Sequence, residues 1–287
     1  MKQIFSSLAG RLDDLIRHKS VLGRHQWLRD LLRKPYYRLV NFHGQGLRLN
    51  LGGCVPVRVP PEYASKLMEE YEREEFAQIN EWCKKNPGGL FVDVGCSIGY
   101  MSCAALHASP TVEVVAIDSD VSSLKCAEKV CTYADKTRLH LLRGMISAQS
   151  PRADGWKTIA GETAELLNST GGGNPGSHHY VTLDDTNAAK NVPQFRLDDL
   201  LASEISSRRV MLVKCDVEGA ELEVLKGASR LMAECRPPVL LSVHPYFLPK
   251  LGATPDDVRK LLADCGYTVT WLAKDHDEHW LCTGNAG

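Results

Sequence analysis

Asp93, Asp118, Asp216 and His244 each close or follow a short apolar run, which is where an α/β chain gathers its chemistry. Asp93 lies in Leu-Phe-Val-Asp-Val-Gly-Cys-Ser-Ile-Gly-Tyr at 90–100. Gly95 and Gly99 let the backbone turn tightly and pass close to a ligand. A carboxylate at this strand end repels a pyrophosphate cofactor and favours a positively charged ligand, such as the ammonium and sulfonium of S-adenosylmethionine. Asp118 follows the glycine loop by about 20–25 residues, the spacing at which α/β nucleotide folds place an acid for ribose hydroxyls. Asp216 ends a further run, with Glu218 and Glu221 behind it, and His244-Pro245 follows another. An imidazole titrating near neutral pH suits a base that removes a hydroxyl proton, with Asp216 orienting the acceptor. Oxygen and nitrogen ligands at Asp216, Glu221 and His244 could also hold a divalent cation, although no metal ligand is assigned.

The elements that must position these residues follow from apolar patterning. Leu90–Val94 reads as a buried central strand, with a helix from Ile98 to Leu106. Val112–Ile117, Leu139–Leu142, Val210–Cys215 and Val239–Val243 read as further strands. The third of the chain's central strands, Leu139–Leu142, ends near Met145 and Ile146, which would sit by an adenine ring. Helices are expected over Val121–Ala134 and Pro255–Cys265, and Leu197–Asp199 starts the helix before the Val210–Cys215 strand. Glu218 and Glu221, three apart, are expected on one face of the helix that follows. Tyr267–Leu272 and Trp280–Thr283 form a last pair of strands around the polar turn Lys274–Glu278. Ahead of these, Gly46–Pro60 alternates as two short strands around Gly52-Gly53, and Tyr63–Lys85 reads as a helix stopped by Asn86-Pro87-Gly88.

The two remaining stretches differ in composition. Residues 1–40 form a basic amphipathic segment, expected to pack on the protein or to mediate self-association, with contact to an anionic membrane as the alternative. Residues 151–190 hold a glycine tract, Trp156, His178-His179 and Tyr180, and are expected to be an acceptor-side loop. The expected division is thus 1–62, a basic helical extension with short strands, and 63–287, the catalytic domain with the inserted loop at 151–190.

Composition excludes several classes. A chain of 287 residues with net charge −1 has no global attraction to nucleic acid. Its ten cysteines show no Cys-x-x-Cys pair, which argues for a reducing compartment rather than disulfides or zinc. With no apolar run long enough to span a bilayer, the expected location is cytoplasmic.

The motifs then occur in a telling order. Tyr71-Glu72-Arg73-Glu74-Glu75, Asp93 to Tyr100, Arg196-Leu197-Asp198-Asp199-Leu200, Lys214 to Glu221 and Val243-His244-Pro245 resemble the FkbM family of class I S-adenosylmethionine-dependent methyltransferases. The resemblance implies a Rossmann-like α/β fold: a seven-stranded, mostly parallel sheet with an antiparallel last strand, in three α/β/α layers. It also implies O-methylation of a sugar, glycan or natural-product acceptor. Glu72, Asp93, Gly95, Cys96, Ser97, Gly99 and Tyr100 would then border the donor, with Asp118 and Ser119 at the ribose. Asp216, Glu221 and His244 would carry the acceptor side. The chain departs from the family in Cys96-Ser97, in Asp118-Ser119, and in Ser242, where a Glu commonly stands and would partner His244. An RNA ribose methyltransferase would show a Lys-Asp-Lys-Glu set, and here His244 stands where a Lys is expected. A non-catalytic donor-binding module is the other alternative.

Overall fold

A computed structural model describes residues 35–149, 192–274 and 277–285. The expectations for the amphipathic segment up to residue 34 and for the loop at 151–190 lie outside the described residues. In chain order the first elements are strands β1 (Leu47–Leu51) and β2 (Val55–Val59), helix α1 (Arg73–Lys85), β3 (Leu90–Val94), α2 (Tyr100–Ala108), β4 (Glu113–Asp118), α3 (Val121–Val130) and β5 (Leu139–Arg143). Short strands β6 (Met145–Ile146) and β7 (Gln194–Phe195) precede α4 (Leu197–Leu200), α5 (Ala202–Ser206) and β8 (Met211–Cys215). Then come α6 (Glu221–Gly227), α7 (Ser229–Glu234), β9 (Val239–Val243), α8 (Pro255–Asp264), β10 (Tyr267–Lys274) and β11 (Glu278–Gly284).

The main sheet has seven strands in the order β10-β11-β9-β8-β3-β4-β5. Its strands are parallel except β11, which runs antiparallel to both β10 and β9. This is the expected Rossmann-like class I methyltransferase arrangement. Chain order turns back at β3: β4 and β5 lie on one side of it, β8 and β9 on the other. The carboxyl ends of β3 and its neighbours are thus the switch point at which such sheets place a ligand crevice.

Strand periodicity divides the core between two faces. Val92 and Val94 pack on one side with Val213, Cys215, Leu241 and helix residues such as Val224, Leu231 and Val258. Phe91, Leu212 and Leu240 pack on the other with Phe76, Ile79, Ala104 and Leu124. The β1–β2 hairpin joins this second face through Leu49, Leu51, Val55, Val57 and Val59. Gly52 and Gly53, both at positive φ, form its turn as expected.

The long helix expected over Tyr63–Lys85 is broken. Pro61–Tyr63 and Lys66–Glu69 are 3-10 turns, and α1 starts only at Arg73, after Glu72 in the left-handed region. The break frees Glu72 from the helix and leaves it available to the crevice.

Candidate active site

The expected donor side begins at the end of β3. Gly95 has φ +78, and a Cβ there would lie 1.8 Å from the Asp216 carbonyl oxygen. Only glycine lets this loop pass so close to the β8 loop. Gly99, at φ +83, touches Ala127 in the same way, which seats the start of α2 on α3. Between them Ser97 is exposed, with φ 49, and its N–H donates to Asp118 Oδ2 at 2.8 Å. Asp120 N–H donates to Asp118 Oδ1, also at 2.8 Å. Each Asp118 oxygen thus receives one backbone bond and keeps a lone pair for a further donor. Burial pushes the Asp118 carboxyl up to about 6, against those two N–H groups. Ser119 stands beside it, half-buried, with its carbonyl accepting from Arg143 Nε.

Below the loop runs a buried polar row. Asp93 is 0 % exposed and accepts from Ser102 Oγ at 2.6 Å. It pairs in register with Lys214 of β8, whose Nζ donates to Asp216 Oδ2 at 2.9 Å. Burial by itself would depress the Lys214 ammonium; Asp216, then Glu72 and Asp93, reverse this and raise it. Burial raises Glu72 to about 7 and raises Asp93, in each case against the pull of Lys214. Fully enclosed, Asp93 could reach a ligand through its charge but not by contact. The sequence reading passed over Lys214 and Ser102 as site residues. The one cation in the apolar strand Met-Leu-Val-Lys-Cys was the available signal for the first.

Three expected donor residues turn inward instead. Cys96 is 6 % exposed and joins the α2–α3 core. Tyr100 packs there too, its hydroxyl donating to the Tyr63 carbonyl at 2.6 Å. Ile146 belongs to the opposite core face, because β6 pairs with β7 and is not a continuation of β5. Met145, its neighbour, is half-buried.

The residues expected on the acceptor side gather after β8 and β9 and at the start of β11. Asp216 N–H donates to the Val94 carbonyl, which fixes the β8 loop against β3. His244 follows β9 and is 2 % exposed. Its Nδ1 lies 2.5 Å from Glu221 Oε1, and the same oxygen accepts from Gly219 N–H at 2.9 Å. Glu221, fully buried at the start of α6, therefore supplies the partner that the departure at Ser242 left open. Ser242 instead lies 3.4 Å from His279 Nδ1, which also meets Glu75 of α1 at 2.5 Å.

Glu218 is not on the helix with Glu221. It has φ 52 and precedes α6, so the two acids approach opposite nitrogens of one ring. Around Nε2 stand Asp216 Oδ1 at 3.4 Å, Glu218 Oε2 at 3.6 Å and Asp277 Oδ2 at 3.7 Å. Burial opposes the imidazolium, but Glu221, Asp216 and Glu218 outweigh it and raise His244 to about 9. These charges favour the imidazolium and move the ring's titration above the neutral value expected from the sequence. Burial likewise works against the Asp216 carboxylate, yet Lys214 and His244 hold it below the usual range.

The donor set fits a cationic nucleoside. Asp118 offers free lone pairs at a backbone-lined loop, and Glu72 and Asp93 are carboxyls whose ionisation a nearby positive charge would favour.

The methyltransferase FkbM domain model matches residues 145–269, a span that holds Asp216, Glu221 and His244. No curated protein matches the chain. Similar solved structures include a methyltransferase FkbM from Methylobacillus flagellatus KT, 15% identical, covering 89% of this chain with a TM-score of 0.43. The present chain spans 61% of that one. A precorrin-6y C5,15-methyltransferase from Geobacter metallireducens GS-15 is 10% identical over 80% of this chain and 94% of its own, with a TM-score of 0.41. The N-methyltransferase NodS from Bradyrhizobium japonicum WM9, in complex with S-adenosyl-L-homocysteine, is 10% identical over 76% and 88%, with a TM-score of 0.42.

Proposed function

We propose, from the match of residues 145–269 to the methyltransferase FkbM domain model, that this protein is an S-adenosylmethionine-dependent O-methyltransferase. Its acceptor would be a hydroxyl of a sugar, glycan or natural product. The observation that carries the reading is that two acidic groups meet across one loop contact: Asp118, bonded to the Gly95–Gly99 turn, and Asp216, locked to β3. The first would take the nucleoside and the second the acceptor.

In this reading Asp118 receives the ribose hydroxyls, and Asp93 and Glu72 supply negative potential under the methionine end. When bound, the donor supplies a sulfonium methyl, to which the acceptor oxygen bonds while the carbon–sulfur bond breaks and its electron pair stays on sulfur. Asp216, held ionised by Lys214, accepts the hydrogen bond of the acceptor hydroxyl and orients it for attack. The hydroxyl proton passes along that hydrogen bond to Asp216, 25 % exposed, and from it to solvent. His244 cannot serve as a free base at neutral pH with its proton held so firmly. Its part is to hold the acceptor pocket together, with Glu221 as the positioning residue behind it.

The test is titration calorimetry with S-adenosylmethionine and NAD, followed by methyl transfer from labelled donor to a panel of sugars and small hydroxylated acceptors. Donor binding with label appearing as an alkali-stable ether is expected. Tighter binding of NAD, or transfer only to amines, would overturn the assignment.

A further inference from the structure

We propose that Asp216, Glu218 and His244 form a binding site for one divalent cation, of the class that takes carboxylate oxygen and imidazole nitrogen together. The site deepens the methyltransferase reading by placing a cation where the acceptor oxygen would sit. Its geometry does not depend on that reading.

Three observations converge on it. The first is spacing. One ligand atom from each of the three residues lies within 4.8 Å of the other two. From His244 Nε2, Asp216 Oδ1 is 3.4 Å away and Glu218 Oε2 3.6 Å. Donors bound at about 2.0–2.2 Å to one ion stand about 3.0–3.6 Å from each other, depending on geometry. A direct N–H···O bond would instead bring them to about 2.7–3.2 Å. Both carboxylates stand outside that range from Nε2, although the His244 side chain is only 3 % exposed.

The second is the support behind the ring. Glu221, 0 % exposed, takes Nδ1 at 2.5 Å and is itself fixed by Gly219 N–H. A carboxylate on Nδ1–H fixes the ring's orientation, leaves Nε2 as the nitrogen whose proton a cation would displace, and raises the ring's strength as a ligand, as is usual behind metal-bound histidines. The third is access. Asp216 and Glu218 are 25 % and 23 % exposed, so an ion can enter from solvent and retain open positions for water or an acceptor oxygen. Asp277 Oδ2, 3.7 Å from Nε2, stands beside the site as an outer carboxylate.

The experiment uses the full chain stripped with chelator and Mn²⁺ as the probe, with free Mn²⁺ followed by electron paramagnetic resonance. One saturable site is expected, with a nitrogen modulation in the pulsed spectrum that His244→Ala removes. Glu218→Gln, at a partly exposed position, should weaken Mn²⁺ by at least about tenfold without unfolding the chain. Glu221→Gln should weaken it by about 10–100-fold through the ring. Absence of saturable binding up to millimolar Mn²⁺, or binding that survives both Glu218→Gln and His244→Ala, would overturn the proposal. Donor calorimetry on the same stripped protein separates the two readings. Donor binding without Mn²⁺ binding defeats the cation site alone, and Mn²⁺ binding without donor binding supports the site and defeats the donor assignment.

Discussion

At the scale of single residues, Asp118 is the group whose charge a donor would feel most directly. Its oxygens are already oriented by Ser97 and Asp120 N–H, so ribose hydroxyls would meet a fixed carboxylate. Asp118→Ala should cost about 1.5–3 kcal/mol of donor binding, the value of charge-assisted bonds. Its carboxyl, raised by burial to about 6, loses its charge as pH falls through that value. Donor affinity should therefore be level above about pH 7 and drop about tenfold per unit below about pH 6. Calorimetry between pH 5 and 8 checks this; an affinity unchanged down to pH 5 would remove Asp118 from the donor site. Lys214 is the matching residue on the acceptor side. Lys214→Met should destabilise the fold by about 3–5 kcal/mol, because Asp216 and Asp93 would be left buried without their cation. Chemical denaturation reads that loss directly.

At the scale of elements, two of the motifs also act as joints. Asp198, 5 % exposed, accepts from Arg230 N–H at 3.0 Å and Leu231 N–H at 2.9 Å, the unpaired donors of the first turn of α7. It also receives Arg196 Nη2 at 2.8 Å and Ser229 Oγ at 3.2 Å. The Arg-Leu-Asp sequence is thus a remote cap that ties α4 to α7. Asp198→Ala should lower stability by about 3 kcal/mol with donor affinity unchanged well below the melting point. Loss of donor binding in a variant melting like the parent would refute this structural role. The glycine loop is the second joint. Gly95→Ala would press a methyl onto the Asp216 carbonyl, at a backbone angle that disfavours any side chain. Separating β3 from the β8 loop should damage donor binding and methyl transfer together, and parallel assays of both would show it.

For the whole molecule, the site sets an unusual dependence of stability on pH. Asp118 moves from 3.8 to about 6, Glu72 from 4.5 to about 7 and His244 from 6.5 to about 9 on folding. All three hold protons more tightly folded than unfolded, so each contributes stability at low pH and loses it as pH rises through its own window. Asp216 has the opposite sign, but only at the acid end, near and below its ordinary value of 3.8. In chelator and without donor, the melting temperature should fall steadily from about pH 5 to pH 9, and saturating donor or Mn²⁺ should flatten that fall. Calorimetry in a constant-enthalpy buffer series tests this, and a melting temperature that rises over the same range would contradict it. No helix among the described residues is long and apolar enough to cross a membrane.

The sequence by itself determined the strands and the acids at their ends. β3, β8 and β9 are short apolar runs in a regular α/β rhythm, and burial on both faces makes such runs legible without neighbours. Asp118 was legible through its spacing from Gly95, which one β-α-β unit imposes. The tertiary structure alone decided which side chains meet. Cys96, Tyr100 and Ile146 read as ligand contacts from their places in motifs, but the face each one presents depends on how α2 and β6 pack. The break before α1 came from Glu72 adopting a left-handed backbone, which helical periodicity does not report. Glu218 and Glu221 were separated by another such residue, Glu218 itself, which turns one acid to each side of His244. The partner of His244 comes from α6, and its raised proton affinity from three carboxylates, Glu221, Asp216 and Glu218, all more than 20 positions earlier in the chain. Electrostatic coupling of that kind depends on distance and burial, and only the closed sheet fixes either one.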